Sequence, residues 1–260
     1  MRILFTLLIA TLFASTQSAG AAKLTVKQVS EVLVKATSGQ PADFSHEDLS
    51  FLDLSDLDFK RAKLAGANLY GADLSHSDLS GTDLSGANLD HAVITSTNFA
   101  GANLASASLY DIAAYSALEP SSSEAPNFAN ANLSGAHVMA RLTGVDLHGA
   151  NLAHVRMGMA RDQLKTTLWN DLSGCNLSNA NLIDADLQRV HLTFAILRNA
   201  NLSGANLTSS DLTRADLTGA NVAGANLTGT NLDGTVMRQV KGLDTAKGFD
   251  DAQNRDRAVR

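Results

Sequence analysis

The chain has 260 residues, of which 45% are apolar and 18% charged, and its formal net charge is −6 at pH 7. That length and composition allow a buried core and exclude intrinsic disorder, while the acidic balance makes nucleic acid a poor ligand. A single cysteine, Cys175, excludes an internal disulfide, so stability must come from packing.

At the N-terminus Arg2 precedes an apolar run of eleven residues, Ile3 to Phe13, and Ala19-Gly20-Ala21 supplies small residues for a signal peptidase. Eleven apolar residues are too few to anchor the chain across a bilayer. Residues 1–21 therefore read as a signal peptide cleaved near Ala21, and the mature chain as periplasmic or secreted, without stable membrane insertion. No cysteine lies near the cleavage site, which argues against a lipoprotein. Loss of Arg2 leaves 19 Lys+Arg against 26 Asp+Glu, a net charge of −7. Within residues 22–42, the stretch 25–36 (TVKQVSEVLVKA) places Val26, Val29 and Leu33 on one helical face with Val32 beside it, and reads as an N-terminal capping helix.

From Phe44 an apolar residue recurs at every fifth position, through Leu49, Leu54, Phe59 and Leu64 to Leu109. A second unbroken run goes from Leu172 to Leu232. Two places before most of these stands a small residue, such as Ala67, Ala72, Ala200 or Ala205, and between the two stands Asp or Asn, as at Asn68, Asp73, Asn201 and Asn206. The unit is A-(D/N)-L-(S/T)-G. A period of five fits neither a helix nor a continuous strand, so the chain must turn once in each unit. Small and large residues two apart share one face of a short extended segment, while Asp/Asn, Ser/Thr and Gly suit the turn.

These quintets, among them GANLY, GADLS, GANLD, SGANLT and TGANV, resemble the pentapeptide-repeat family. The resemblance implies an all-β fold, a right-handed quadrilateral parallel β-helix with four units per coil. The central Leu or Phe and the small residue two before it would point inward and the other three outward. It covers residues 43–109 and 171–232 strongly and 127–159 with breaks. An apolar column of this kind needs a lid at each end.

The repeat phase changes after Leu109 and again between Val138 and Leu142. Residues 110–126 hold two Tyr, two of the three prolines and a Ser run, and read as a projecting loop. Residues 127–170 read as interrupted repeats with a second loop at 158–170, although the phase of five survives from Leu147 to Leu172. Residues 171–234 resume the coils. In 235–260 the six-residue theme GLDTAK, GFDDAQ reads as a short helical cap or, alternatively, as a contact pairing two copies, so the chain is expected to be a monomer or a homodimer through its C-terminal end.

The middle section gathers His137, Arg141, His148, His154, Arg156, Arg161, Lys165 and the only tryptophan, Trp169, as a candidate patch for a protein partner or an anionic group. The alternative is an insertion packed outside the column with no ligand. The seven histidines show no metal-ligand spacing, and no two stand the twenty residues apart that would stack them on one wall. Acidic pairs follow from the repeat itself, no G-x-S-x-G elbow or phosphate loop occurs, and Cys175 takes the inward small-residue place of an inert core thiol. No catalytic, cofactor-binding or metal site is expected. The leading function is a non-catalytic periplasmic or secreted scaffold for an unknown protein partner. The alternative comes from the resemblance: family members that confer quinolone resistance are acidic rods that mimic duplex DNA and bind DNA gyrase. Residues 43–109, with ten acidic and three basic side chains, fit that reading, whereas a signal peptide does not, because gyrase is cytoplasmic.

Overall fold

The computed structural model describes residues 23–116, 121, 123–158 and 170–260. The predicted signal peptide lies outside the described residues. The five-residue period becomes a column of four-sided coils joined by parallel bridges at the position before each inward apolar residue. The first wall shows ten rungs: Asp43, Lys63, Asp83, Asn103, Asn132, Asn151, Asn181, Asn201, Asn221 and Lys241. The second wall runs from Asp48 to Lys247, the third from Asp53 to Gln253 and the fourth from Asp58 to Val259. Ten coils at the parallel-strand spacing make a column about 43 Å long.

The residue types explain each quintet. The inward Leu accepts from the N–H three residues on, as Phe44 O does from Glu47 (3.1 Å), and the third residue of that turn has positive φ, 61° at His46 and 65° at Gly66. The Asp or Asn before the Leu accepts from the backbone two residues on, as in Ser45 N–H to Asp43 Oδ1 (3.1 Å) and Ser203 N–H to Asn201 Oδ1 (3.2 Å). It also joins its coil to the next: Asn103 Nδ2 donates to Asp83 Oδ1 (3.0 Å) and Asn181 Nδ2 to Asn151 Oδ1 (3.0 Å). Backbone pairing continues between coils, with Leu69 N–H donating to Asn88 O (2.7 Å) and Asn88 N–H to Ala67 O (3.0 Å).

Inside, the central Leu side chains and the small residues two before them form one core running the length of the column. Where Ser or Thr takes the small-residue place its hydroxyl is usually satisfied, as in Thr82 Oγ1 to Leu79 O (2.7 Å) and Thr97 Oγ1 to Leu74 O (2.8 Å).

At the N-terminal end helix α1 (Val26–Lys35) begins with a capping box between Thr25 and Gln28. It buries Val29 fully and Val32 and Leu33 in part, as the sequence pattern predicts. The first coil carries Leu52 and Leu57 where the second has Ala72 and Ser77, and Leu33 and Leu57 line one shallow cleft at this end. At the other end the rungs fall at Lys241, Lys247, Gln253 and Val259, six residues apart. The tail is therefore a tenth coil with six-residue walls, and its helical part is a single 3-10 turn, Arg255–Arg257. The extra residue per unit is absorbed at the corners while the backbone still pairs upward, as in Lys247 N–H to Ala225 O (2.8 Å). Among the described residues no helix is long and apolar enough to cross a membrane.

Candidate interaction surface

The middle of the column departs from the rule in three places. From Ala113 to Asn127 the rung spacing is fourteen residues, from His137 to Arg141 it is four, and from Arg156 to Asp171 it is fifteen. The phase does not break after Leu109, contrary to the expectation of a loop from residue 110. Ile112 and Ala114 fill inward places and Ala113 pairs with Val93, so the excursion starts at Tyr115. An Ala in the large-residue place hides the repeat there. The second excursion adds ten residues, two whole units, which is why the period survives across it. The first leaves coil four at the corner between the third and fourth walls, and the second leaves coil six at the corner between the second and third. Both flank the third wall.

The short unit in coil five removes the corner residue, and among the described residues no bridge joins Ala113 to Arg141. Side chains take over the missing backbone pairing. Buried Asn170 sits in an inward small-residue place, donates to Val138 O (3.0 Å) and Met157 O (2.6 Å), and accepts from Ala140 N–H (2.8 Å). Tyr115 donates its hydroxyl to Thr143 O, a carbonyl of the kind that elsewhere accepts from a corner N–H, as Thr193 O does from Gly174 (2.8 Å). Burial pushes the Tyr115 phenol up to about 12, which keeps it a donor. Ser116 N–H turns to Glu124 Oε2 (3.0 Å), and Ser96 N–H to Glu124 O (2.6 Å), which closes the first excursion onto the column. Sequence reasoning missed Asn170 and Tyr115. The available signal was an amide at a place reserved for Ala.

The predicted patch divides. His137 and Arg156 are rung partners on the second wall, and Arg141 stands one unit on from His137, on the third. His148 lies at the corner between the fourth and first walls, with Nδ1 3.0 Å from Asp146 Oδ1. His154 lies between the first and second walls, 3.9 Å from Asp184 Oδ2. The four-sided coil sends His148 away from the His137, Arg141 and Arg156 group, while His154 stands at the edge of the second wall, two residues before Arg156. Arg161, Lys165 and Trp169 lie outside the described residues.

An aromatic column that the sequence reading did not anticipate runs down the corner between the second and third walls. Lys23 Nζ lies 5.5 Å from the centroid of Phe51, Phe51 5.3 Å from Tyr70, Tyr70 5.0 Å from His91, and His91 5.9 Å from Tyr110. Phe51 is 69% exposed and holds a left-handed φ of 58°, a conformation that costs a bulky residue about 1–2 kcal/mol. Its ring lies over Gly71, where a Cβ would come within 2.8 Å. Positions 51, 70, 91 and 110 follow the coil period of twenty to within one residue, the signal that would have found them.

The rung acids are densest in the first coil and recur along the rod at Asp73, Asp78, Asp83, Asp146, Asp171, Asp186, Asp211 and Asp216. Asp43, Asp48, Asp53 and Asp58 occupy one wall each of the first coil, and Lys60 links Asp58 (3.4 Å) to Asp78 (3.0 Å). Cys175 is fully buried, donates Sγ to Leu142 O (2.8 Å), and has its thiol pushed up to about 12 by burial. Among the described residues no group of three His, Cys, Asp or Glu side chains could hold a metal ion.

Eight copies of the profile described as Pentapeptide repeats match residues 42–81, 73–111, 127–160, 171–208, 185–222 and 210–241, together more than half of the chain. No curated protein sequence matches. Among solved structures, HetL, a pentapeptide repeat protein involved in heterocyst differentiation regulation from the cyanobacterium Nostoc, is 23% identical, with a TM-score of 0.61 over 91% of this chain and 94% of its own. QnrB1, a plasmid-mediated fluoroquinolone resistance protein, is 16% identical over 80% of this chain and 90% of its own, with a TM-score of 0.36. The pentapeptide repeat protein Rfr23 from the cyanobacterium Cyanothece is 31% identical over 46% of this chain and 90% of its own, with a TM-score of 0.22. With its quintets, its four-sided coils and the family profile in agreement, the chain belongs to the pentapeptide-repeat family and folds as its right-handed β-helix.

Proposed function

We propose that the mature chain is a non-catalytic scaffold of the cell envelope, periplasmic or secreted, that engages a protein partner through its third wall and the excursions beside it. Members of the family are generally non-catalytic structural or interaction proteins. The observation that carries the reading is the clustering of the column's irregularities: the short unit, both excursions and the aromatic corner all border the third wall. Functional segments commonly depart from a rigid scaffold in this way. The apolar run and small-residue site within residues 1–21 support export. The scaffold acts as a monomer or as a dimer paired through the tenth coil. The gyrase-binding alternative is weaker, because the export signature within residues 1–21 does not fit a cytoplasmic target.

Two measurements test the proposal. A reporter active only outside the cytoplasm, fused after the native N-terminus, should be active. Photo-crosslinking residues placed at Ala113 and at Asn201, on the third and first walls, should capture a protein in envelope extract at Ala113 only. An inactive reporter would overturn the envelope assignment, and no crosslink at either position would overturn the scaffold reading.

A further inference from the structure

The third wall changes character along its first five coils. Its rungs are Asp53 and Asp73, then Val93 and Ala113, and Arg141 follows in coil five. Val93 and Ala113 stand where the repeat uses Asp or Asn to fix its corner, so those two units give up the side-chain bond to the backbone that their neighbours keep. Asp53 and Asp73 are rung partners, two carboxylates on successive coils of one wall. Among the described residues neither makes an ion pair, and Arg141 makes none. One border of this strip is the aromatic corner at Tyr70, His91 and Tyr110, and the other is the first excursion, tied down through Glu124.

We propose that this strip docks an extended segment of a protein partner that carries a basic side chain, two apolar side chains and an acidic side chain at alternate positions, K-x-Φ-x-Φ-x-E. The inference deepens the scaffold reading and rests on it. Four side chains on one face of an extended segment recur every ~6.6 Å and span ~20 Å, and five rungs at ~4.8 Å span ~19 Å. The basic side chain then lies between Asp53 and Asp73 and pairs with both carboxylates. The apolar pair covers Val93 and Ala113 against the aromatic corner, and the acidic side chain meets the Arg141 guanidinium. Charge complementarity at both ends sets the register, and the apolar centre supplies burial.

The test uses the full mature chain and the acetylated, amidated peptide Lys-Ser-Val-Thr-Leu-Ser-Glu, followed by calorimetry or fluorescence anisotropy. Saturable binding is expected. It should weaken about tenfold or more with Val93→Asp, with the double change Asp53→Asn and Asp73→Asn, or with Arg141→Asn, a loss of about 1.4 kcal/mol or more. These changes install residues the repeat already tolerates at that place, and unchanged melting curves would confirm that each variant is folded. Asn88→Asp, on the second wall, should leave binding unchanged. Peptides with Glu for Lys, or Ser for both apolar residues, should not bind. Absence of saturable binding by the parent peptide, or equal binding by all three peptides, would overturn the proposal. So would self-association of the chain that Val93→Asp abolishes, which would assign the wall to a second copy. If the envelope partner is still crosslinked at Ala113 in the Val93→Asp variant, this proposal fails while the scaffold reading stands.

Discussion

Residues 171–236 and residues 110–158 build adjoining parts of one column by different means. In the later region every unit has five residues, and the rung Asp or Asn accepts from the backbone at its corner, as Asn206 Oδ1 does from Thr208 N–H (3.2 Å). In the earlier region one unit has lost a residue and an excursion interrupts the coil. There the pairing passes to Asn170, Tyr115 and Glu124, which come from outside the repeat rule. The difference shows that the column tolerates irregular sequence where a polar side chain can stand in for a backbone group, since a buried unpaired N–H or C=O is too costly to leave.

The largest expected effect breaks the regular region. Leu202 is fully buried, and Leu202→Asp should cost more than about 4 kcal/mol by placing a charge in the core. A guanidinium midpoint close to that of the parent chain would show that Leu202 does not face inward. Next, Asn170→Ala strands Val138 O, Met157 O and Ala140 N–H and should cost about 3 kcal/mol, against about 1 kcal/mol for Asn201→Ala, whose partners stay near solvent. Equal losses from the two changes, measured by chemical denaturation, would remove the distinction between the regions. Tyr115→Phe deletes only the hydroxyl that reaches Thr143 O and should cost about 1 kcal/mol, read as a lowered melting temperature.

The smallest effect concerns acid. Ser45, Ser50 and Ser55, first through their hydroxyls and then through their N–H groups, hold Asp43, Asp48 and Asp53 below the ordinary carboxylate range. Because the folded pKa lies below the unfolded one, this stabilisation is complete above about pH 4 and is lost as pH falls through the depressed values. Acid should therefore loosen the aspartate-rich first coil before the Asn-rich rungs of the middle. Asp43→Asn with Asp48→Asn should flatten the acid limb of a melting temperature against pH profile. An unchanged limb would contradict the assignment.

The regular coils were legible because each position in the unit has one physical task, and five-residue spacing displays all of them at once. Phe44 to Leu109 and Leu172 to Leu232 needed no further information. The coil at 110–114 escapes the pattern because Ala114 fills a place where the pattern expects Leu, and Asn170 because it closes the stretch 158–170 that reads as a loop. The tail reads from sequence as a cap because six-residue units do not look like the repeat, although Lys241, Lys247, Gln253 and Val259 pair as its rungs do. As for the interaction surface, single residues could be named from sequence but not grouped. The turn of the coil carries His148 to the corner between the fourth and first walls, away from His137, and the coil period gathers Phe51, Tyr70, His91 and Tyr110 from four different units.

Native-state hydrogen exchange tests the continuity of the column most directly. The inward-unit amides at Leu133, Leu142 and Leu172, which donate to Asn151 O, Asp171 O and His191 O, should exchange as slowly as those at Leu202 and Leu207, in one cooperative unit. Fast exchange confined to residues 133–172, with slow exchange on either side, would contradict the account by dividing the column into two independent pieces.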